Sequence, residues 1–265
     1  MNIALIFAGG KGTRMGASLP KQFLKINGKE ILFHTIDLFQ KNKNIDKIYI
    51  STIDDYIDHV KEEVEVGKYT KVIDVIGGGD SAQDTIYRLL VRAKKDNPDD
   101  SIVLLQDTIY RLLVRAKKDN PDDSIVLLHD GVRPFVAPDV IEKNIEGVKK
   151  HGNAITSFPA YETIMVSEDH DVVDDVTVRA NTYLGQAPQS FYLKDILDAH
   201  EKIRMRPEGY ENMVDAATII RTLGGKTHLV MGNRGNLKIT TPEDVYTFRA
   251  FLQYKEDKET FGLGL

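Results

Sequence analysis

Glycines at positions 9, 10, 12 and 16 follow the apolar run Asn2-Ile3-Ala4-Leu5-Ile6-Phe7, and two cations, Arg14 and Lys21, stand among and behind them. Glycine has no Cβ, so backbone N–H groups there approach a phosphate closely. The glycines alone serve a nucleoside triphosphate and a dinucleotide equally well, and Asp54 and Asp55 stand at a plausible distance for a dinucleotide's ribose. The cations separate the two. A dinucleotide's diphosphate is neutralised by a helix N-terminus and needs no side-chain cation in the turn. A triphosphate attacked at its α-phosphorus accumulates charge there and on the departing pyrophosphate. One unit charge at ~4 Å and an effective dielectric of ~20 contributes about 4 kcal/mol. That is roughly a thousandfold in rate if it acts only in the transition state. Arg14 and Lys21 are therefore read as groups for nucleotidyl transfer, against the plain alternative of a solvated loop face.

Two further groups of residues carry chemistry. His129-Asp130-x-x-Arg133-Pro134 follows an apolar, strand-like run. A carboxylate at a strand's carboxyl end holds Mg2+ or a ribose hydroxyl, or it caps a turn with Arg133 as its ion-pair partner. In Asn236-Leu237-Lys238-Ile239-Thr240-Thr241-Pro242-Glu243-Asp244, residues 241, 242 and 244 suit N-cap, N1 and N3 of a helix. Lys238, read as lying inside a strand, has no such account and points to an anion above the sheet. The other histidines, at 34, 59, 151, 170, 200 and 228, lack metal-ligand spacing, and there is no Gly-x-Ser-x-Gly elbow.

The elements that must position these residues alternate between apolar runs and amphipathic stretches. Strands are predicted at 3–7, 47–52, 72–76 and 154–158, and helices at about 30–41, 56–64, 139–150, 193–203 and 242–254, with a frayed tail beyond Lys255. Strands separated by helices imply right-handed βαβ units and a mostly parallel, Rossmann-like α/β sheet, whose ligands sit at the strands' carboxyl ends. Residues 161–182 are polar and β-rich, with Val172, Val173, Val176 and Val178 among acids, and read as a protruding β-arm for dimerisation.

One oddity interrupts this single domain of 265 residues. Residues 83–105 recur without change as residues 106–128. Each copy encodes one helix and one strand, for example Ile86, Leu89, Leu90 and Ala93 on a helix face and Ile102–Leu105 as a buried strand. The expectation is that the helix of the first copy and the strand of the second take the native places, with roughly 96–118 extruded and open to proteases.

Composition narrows the class. A chain with 42% hydrophobic and 28% charged residues folds without staples. The absence of cysteine removes thiolate metal sites and cysteine nucleophiles and suits a reducing, cytoplasmic compartment. A net charge of -5 gives no basic field for nucleic acid or an anionic membrane. The apolar N-terminus lacks a basic flank and runs into glycines, so it reads as a first strand and not as a signal peptide.

Taken together, the motifs resemble the cytidylyltransferases that act on 2-C-methyl-D-erythritol 4-phosphate and on ribitol 5-phosphate. The matching pieces are Ala8-Gly9-Gly10-x-Gly12-Thr13-Arg14-Met15, Pro20-Lys21-Gln22, Gly78-Gly79 with Thr85 behind it, His129-Asp130-x-x-Arg133-Pro134, Pro188-Gln189-x-Phe191 and Asn236-x-Lys238-Ile239-Thr240. The resemblance implies CTP and a small polyol phosphate as substrates, Mg2+, and a homodimer whose arm reaches the partner subunit. It implies that Arg14 and Lys21 stabilise the transition state. Cytidine and its phosphates would lie against Phe7, Ala8, Gly9 and Gly10 and against Gly79, Asp80, Ser81, Ala82, Gln83, Asp84 and Thr85. Asp130 would contact the ribose or the metal, and Arg133 and Lys238 the acceptor. Tyr161 and Ala187 stand where the methylerythritol branch has arginine and threonine, which favours ribitol 5-phosphate and places Tyr161 among the catalytic candidates. An arginine expected near Ala82 is absent. The rival readings are methylerythritol phosphate as acceptor, an NAD(P)-dependent dehydrogenase, whose Tyr-x-x-x-Lys would be Tyr254 and Lys258, and a chain inactivated by the duplication.

Overall fold

The computed structural model describes residues 1–9, 19–77 and 100–261. Strand β1 (Asn2–Ala8) is apolar almost throughout because helices cover both its faces. Ala4, Ile6 and Ala8 enter one core layer and Ile3 and Leu5 the other, the period of two imposed by the pleat. A small hairpin of β2 (Lys25–Ile26) and β3 (Lys29–Glu30) follows. Then come α1 (Ile31–Lys41), β4 (Lys47–Thr52), α2 (Ile57–Val66), β5 (Val72–Gly77), α3 (Asp100–Asp119) and β6 (Ile125–Asp130). The chain continues through α4 (Pro138–His151), β7 (Asn153–Pro159), β8 (Met165–Val166), β9 (Asp175–Val176) and β10 (Tyr183–Tyr192). It closes with α5 (Leu193–Arg204), α6 (Ala216–Thr222), β11 (Leu229–Met231) and α7 (Pro242–Phe261).

Seven strands make one sheet in the order β11-β7-β10-β6-β1-β4-β5. Only β10 is antiparallel to its neighbours. One core layer packs beneath α1, α2 and α4 and the other beneath α3, α5 and α6. A third cluster, Ile26, Ile31, Val132, Ile239 and Phe248, seats α7 over the turn that follows β6. Strands β8 and β9 pair only with each other and stand out as the expected arm. Among the described residues no helix is long and apolar enough to cross a membrane.

The duplication resolves differently from the expectation. The strand of the second copy does enter the sheet, as β6. The packed helix, however, also belongs to the second copy: Ile109, Leu112, Leu113 and Ala116 are buried against the sheet. Residues 100–119 are one continuous helix, so of the stretch expected to be extruded 100–118 is helical, while 96–99 lie outside the described residues, and Ile102–Leu105 is helical where a strand was expected. The reason is connectivity. The two copies encode the same helix face, but only the second runs directly into β6 through residues 120–124. There Asn120 receives Lys47 Nζ at 2.8 Å and donates to Ala116 O at 2.7 Å. The expected helix of the first copy lies outside the described residues. At the other end of the chain, α7 continues to Phe261, past the expected fraying at Lys255.

The level of α3 follows from its ion pair. Arg115 Nε meets Asp74 Oδ2 at 2.5 Å, and Asp74 is in register with Tyr49 and hence with Leu5. Thr108 lies seven residues earlier, about 10 Å nearer the strands' carboxyl ends, or about three strand residues. It therefore stands level with Ala8, Thr52 and Gly77, and residues 100–107 run about 12 Å beyond the sheet.

Candidate active site

The parallel strands all end on one edge, where ligands of such sheets bind. That edge collects Ala8-Gly9 after β1, His129-Asp130 at the end of β6, Tyr161 after β7 and the 232–238 loop after β11. Phe7 and Asp130 are register partners, and Gly131 N donates to Phe7 O at 2.9 Å. A Cβ on Gly131 would stand 2.8 Å from Ala8 Cβ and 3.2 Å from Phe7 O, so the two loops meet this closely only with glycine there. Thr35 Oγ1 donates to Gly131 O at 2.9 Å, and His129 Nε2 donates to Arg133 O at 3.0 Å. His129 is fully buried against Phe39, and burial lowers its pKa to about 4, so the ring is neutral and braces the turn.

Asp130 lies at the centre of an ion cluster. Its Oδ2 accepts from Arg133 Nε at 2.7 Å and its Oδ1 from Lys238 Nζ at 2.7 Å. Burial pushes the carboxyl's pKa up, but the two cations and their hydrogen bonds outweigh it and hold the group well below the usual carboxylate range. Arg133 Nη1 also donates to Asn236 O at 2.9 Å, and Asn236 Nδ2 to Ala187 O at 2.7 Å. The loops after β6, inside β10 and after β11 are thereby tied together. The Lys238 side chain is 38% exposed against 12% for Asp130, so its ammonium borders the opening. Lys238 is not inside a strand, contrary to the sequence pattern. Residues 236–240 run beside the Val132 turn with the single bond Ile239 N to Val132 O, too few for a ladder.

Lys21 opens a short helical turn of residues Lys21–Phe23. Gln22 is buried and donates its amide to Ala8 O at 2.7 Å, while the Phe23 ring stacks on Tyr56 at 4.2 Å. These contacts hold the lysine's turn against the end of β1. Of the expected nucleotide contacts, Phe7, Ala8, Gly9 and Asp130 therefore converge on one edge. Gly10, Arg14, Gly79, Asp80, Ser81, Ala82, Gln83, Asp84 and Thr85 lie outside the described residues. Thr108, the second copy's counterpart of Thr85, is buried at that edge.

Tyr161 is placed at the root of the arm, 53% exposed, with the Arg234 guanidinium 4.7 Å from its ring centroid. The sequence reading passed over Arg234, Gln186, Asn233 and the bracing role of Gln22. Asn236 stands within a quoted motif, and Gln186 is two residues before another. Nothing local marks Arg234 except the glycines at 232 and 235.

The fit of a magnesium ion turns on Asp130. Both its oxygens already carry a cation, and no group of three metal-ligating side chains occurs among the described residues. Magnesium is commonly held by one or two carboxylates together with substrate phosphates. The described residues do not make a site for the ion by themselves.

Comparison with known proteins places nearly the whole chain in one family. The family model described as IspD, 2-C-methyl-D-erythritol 4-phosphate cytidylyltransferase, matches residues 2–120 and 114–254, two segments that overlap inside the second copy. A ribitol-5-phosphate cytidylyltransferase of Vibrio parahaemolyticus is 37% identical over 99% of this chain and 100% of its own. One from Streptococcus agalactiae is 36% identical over the same shares. A 2-C-methyl-D-erythritol 4-phosphate cytidylyltransferase of Geotalea uraniireducens is 35% identical over 94% of this chain and 96% of its own. Among solved structures, the 4-diphosphocytidyl-2C-methyl-D-erythritol synthase of Anaerococcus prevotii superposes with a TM-score of 0.73 at 26% identity, covering 96% of each chain.

Proposed function

The chain belongs to the IspD, 2-C-methyl-D-erythritol 4-phosphate cytidylyltransferase, family, and from that premise we propose that it transfers CMP from CTP to D-ribitol 5-phosphate, giving CDP-ribitol and pyrophosphate. A phosphate oxygen of the acceptor attacks the α-phosphorus of CTP, and the bond from that phosphorus to the bridging oxygen breaks as pyrophosphate leaves. The nucleophile is already an anion at neutral pH, so no general base is needed and the site's work is positioning and charge compensation.

The observation that carries the reaction is the Asp130–Arg133–Lys238 cluster, paired in register with the end of β1. In this reading Phe7, Ala8, Gly9 and Gly10, with residues 79–85, receive the nucleotide. Arg14 and Lys21 act on the α-phosphate and the leaving pyrophosphate. Lys238 and Arg133, aimed by Asp130, meet the acceptor. Asp130 is the carboxylate here that would help hold a magnesium ion, whose chemistry would be to offset charge on the triphosphate. Ribitol 5-phosphate is supported by the relatives of that name at 36–37% identity over nearly the whole chain. Position 187 bears on the acceptor because the Ala187 carbonyl anchors Asn236, two residues from Lys238. The family model's own name favours methylerythritol phosphate as the second reading.

The arm supports a homodimer, since Met165, Val172, Val173, Val176 and Val178 are all about half exposed or more. A cysteine-free chain is suited to the cytoplasm. The deciding experiment is pyrophosphate release with CTP and each polyol phosphate side by side. Faster turnover with ribitol 5-phosphate is expected. Faster turnover with methylerythritol phosphate reverses the acceptor, and no turnover with either sinks the reading.

A further inference from the structure

Arg234 is exposed, and among the described residues it has no carboxylate partner. Its guanidinium lies 4.7 Å from the centroid of the Tyr161 ring, within cation–π range. The loop that carries it is pinned on several sides. Asn233 Oδ1 accepts from Ala137 N at 3.3 Å, Asn233 Nδ2 donates to Phe135 O at 3.2 Å, and Gln186 Nε2 donates to Asn233 O at 3.2 Å. A Cβ on Gly232 would collide with Gln186 and Thr156 at 2.4 and 2.7 Å, so the loop lies flat on β7 and β10. Tyr161 is equally fixed, because Ala160 before it is buried and its N–H donates to Thr182 O at 2.9 Å.

We propose that Arg234, shelved on the Tyr161 ring, is a specificity-determining cation that grips the phosphate monoester of the acceptor; this rests on the cytidylyltransferase reading above. The first ground is geometry. A guanidinium lying over a ring keeps its N–H edge free, and that fork matches a phosphate with two parallel hydrogen bonds. Arg234 and Lys238 are only four positions apart, so their Cα atoms are at most about 14 Å apart. Both side chains therefore reach one small ligand on the carboxyl edge. The second ground is charge. Asp130 already engages Arg133 and Lys238, which leaves these three side chains with one net positive charge. Arg234 raises this to two, the match for a monoester phosphate of about -1.5 to -2. Tyr161 then serves through the face of its ring as a positioning residue, and its hydroxyl is dispensable.

The test is steady-state pyrophosphate release with ribitol 5-phosphate varied at saturating CTP. R234A is expected to raise KM for ribitol 5-phosphate at least tenfold while KM for CTP stays within twofold. R234K keeps the charge but loses the fork and should fall between the two. Y161F, which keeps the ring face, is expected to shift the acceptor KM far less than Y161A, which should move it in the direction of R234A. An unchanged acceptor KM in R234A, or a rise confined to CTP, overturns the proposal. A loss in Y161F equal to that in Y161A overturns the role of the ring face. Calorimetric titration of the protein with ribitol 5-phosphate separates this proposal from the reading beneath it. Tighter binding by the wild type than by R234A supports Arg234 even if turnover is absent. Equal affinity overturns it, and no binding by the wild type overturns both.

Discussion

Protonating His129 would place a charge in a wholly buried ring, and the same holds for His200, whose Nδ1 and the Tyr210 hydroxyl share a hydrogen bond of 2.7 Å. Burial lowers the two pKa values to about 4 and about 3. In the unfolded chain both return to 6.5. The folded values are depressed, so the stabilisation is complete above pH 6.5 and is lost as pH falls toward 4 and 3. Asp130 adds a further loss in stronger acid, since its folded pKa also lies below its ordinary value of 3.8. The denaturation midpoint should therefore be flat above about pH 7, decline from about pH 6.5, and decline less steeply in His200→Gln. A midpoint that holds steady down to pH 5 contradicts this account. His129 is thus a brace for the Asp130–Arg133 turn, and acidification would loosen that ion cluster together with the fold.

Helix α3 raises a question that identical sequences cannot answer for themselves: which copy fills the slot. Leu112 is fully buried and Leu89 is the same residue in the other copy. Leu112→Ala should cost about 2–5 kcal/mol of stability, the usual range for a buried leucine. Leu89→Ala is the internal control and should cost much less, as read by urea denaturation. Equal costs would mean that the two copies share the slot, and a reversed pattern would return it to the first copy. The position of α3 also bears on chemistry. Its buried Thr108 stands at the sheet edge where Thr85 was expected, and two further turns extend beyond it.

At the level of the whole molecule, the arm presents a run of exposed apolar side chains, the kind of surface that marks an interaction site. Met165, Val172 and Val178 are 62%, 57% and 66% exposed. A second copy of the chain would cover them in a twofold, self-complementary contact. Sedimentation should give a dimer for the wild type and a monomer for the double variant Val173→Glu, Val176→Glu, with the thermal stability of the sheet domain little changed. A wild-type monomer at micromolar concentration would remove the dimer from the proposal.

Much of this architecture was legible in the order of residue types. The boundaries of β4 were read without error, and those of β1, α1, α4 and β7 to within one residue or so, because apolar periodicity there agrees with burial. Asp130, Arg133 and Lys238 were singled out by type and placement. What local sequence could not decide is shown by one pentapeptide. Ser101-Ile102-Val103-Leu104-Leu105 and Ser124-Ile125-Val126-Leu127-Leu128 are identical, yet the first lies in a helix and the second spans the entry and body of β6. Its propensities allow both, and only one vacancy exists between β1 and β10. The copy joined to His129-Asp130 takes that vacancy, and the other joins the helix it precedes. The same limit governs the site. That Lys238 and Arg133 meet on one carboxylate, and that Arg234 rests on Tyr161, depends on where β7 and β11 end. Residue types determined which groups could act. Sheet order and loop anchoring, which join residues 73 to 108 positions apart, decided which of them meet.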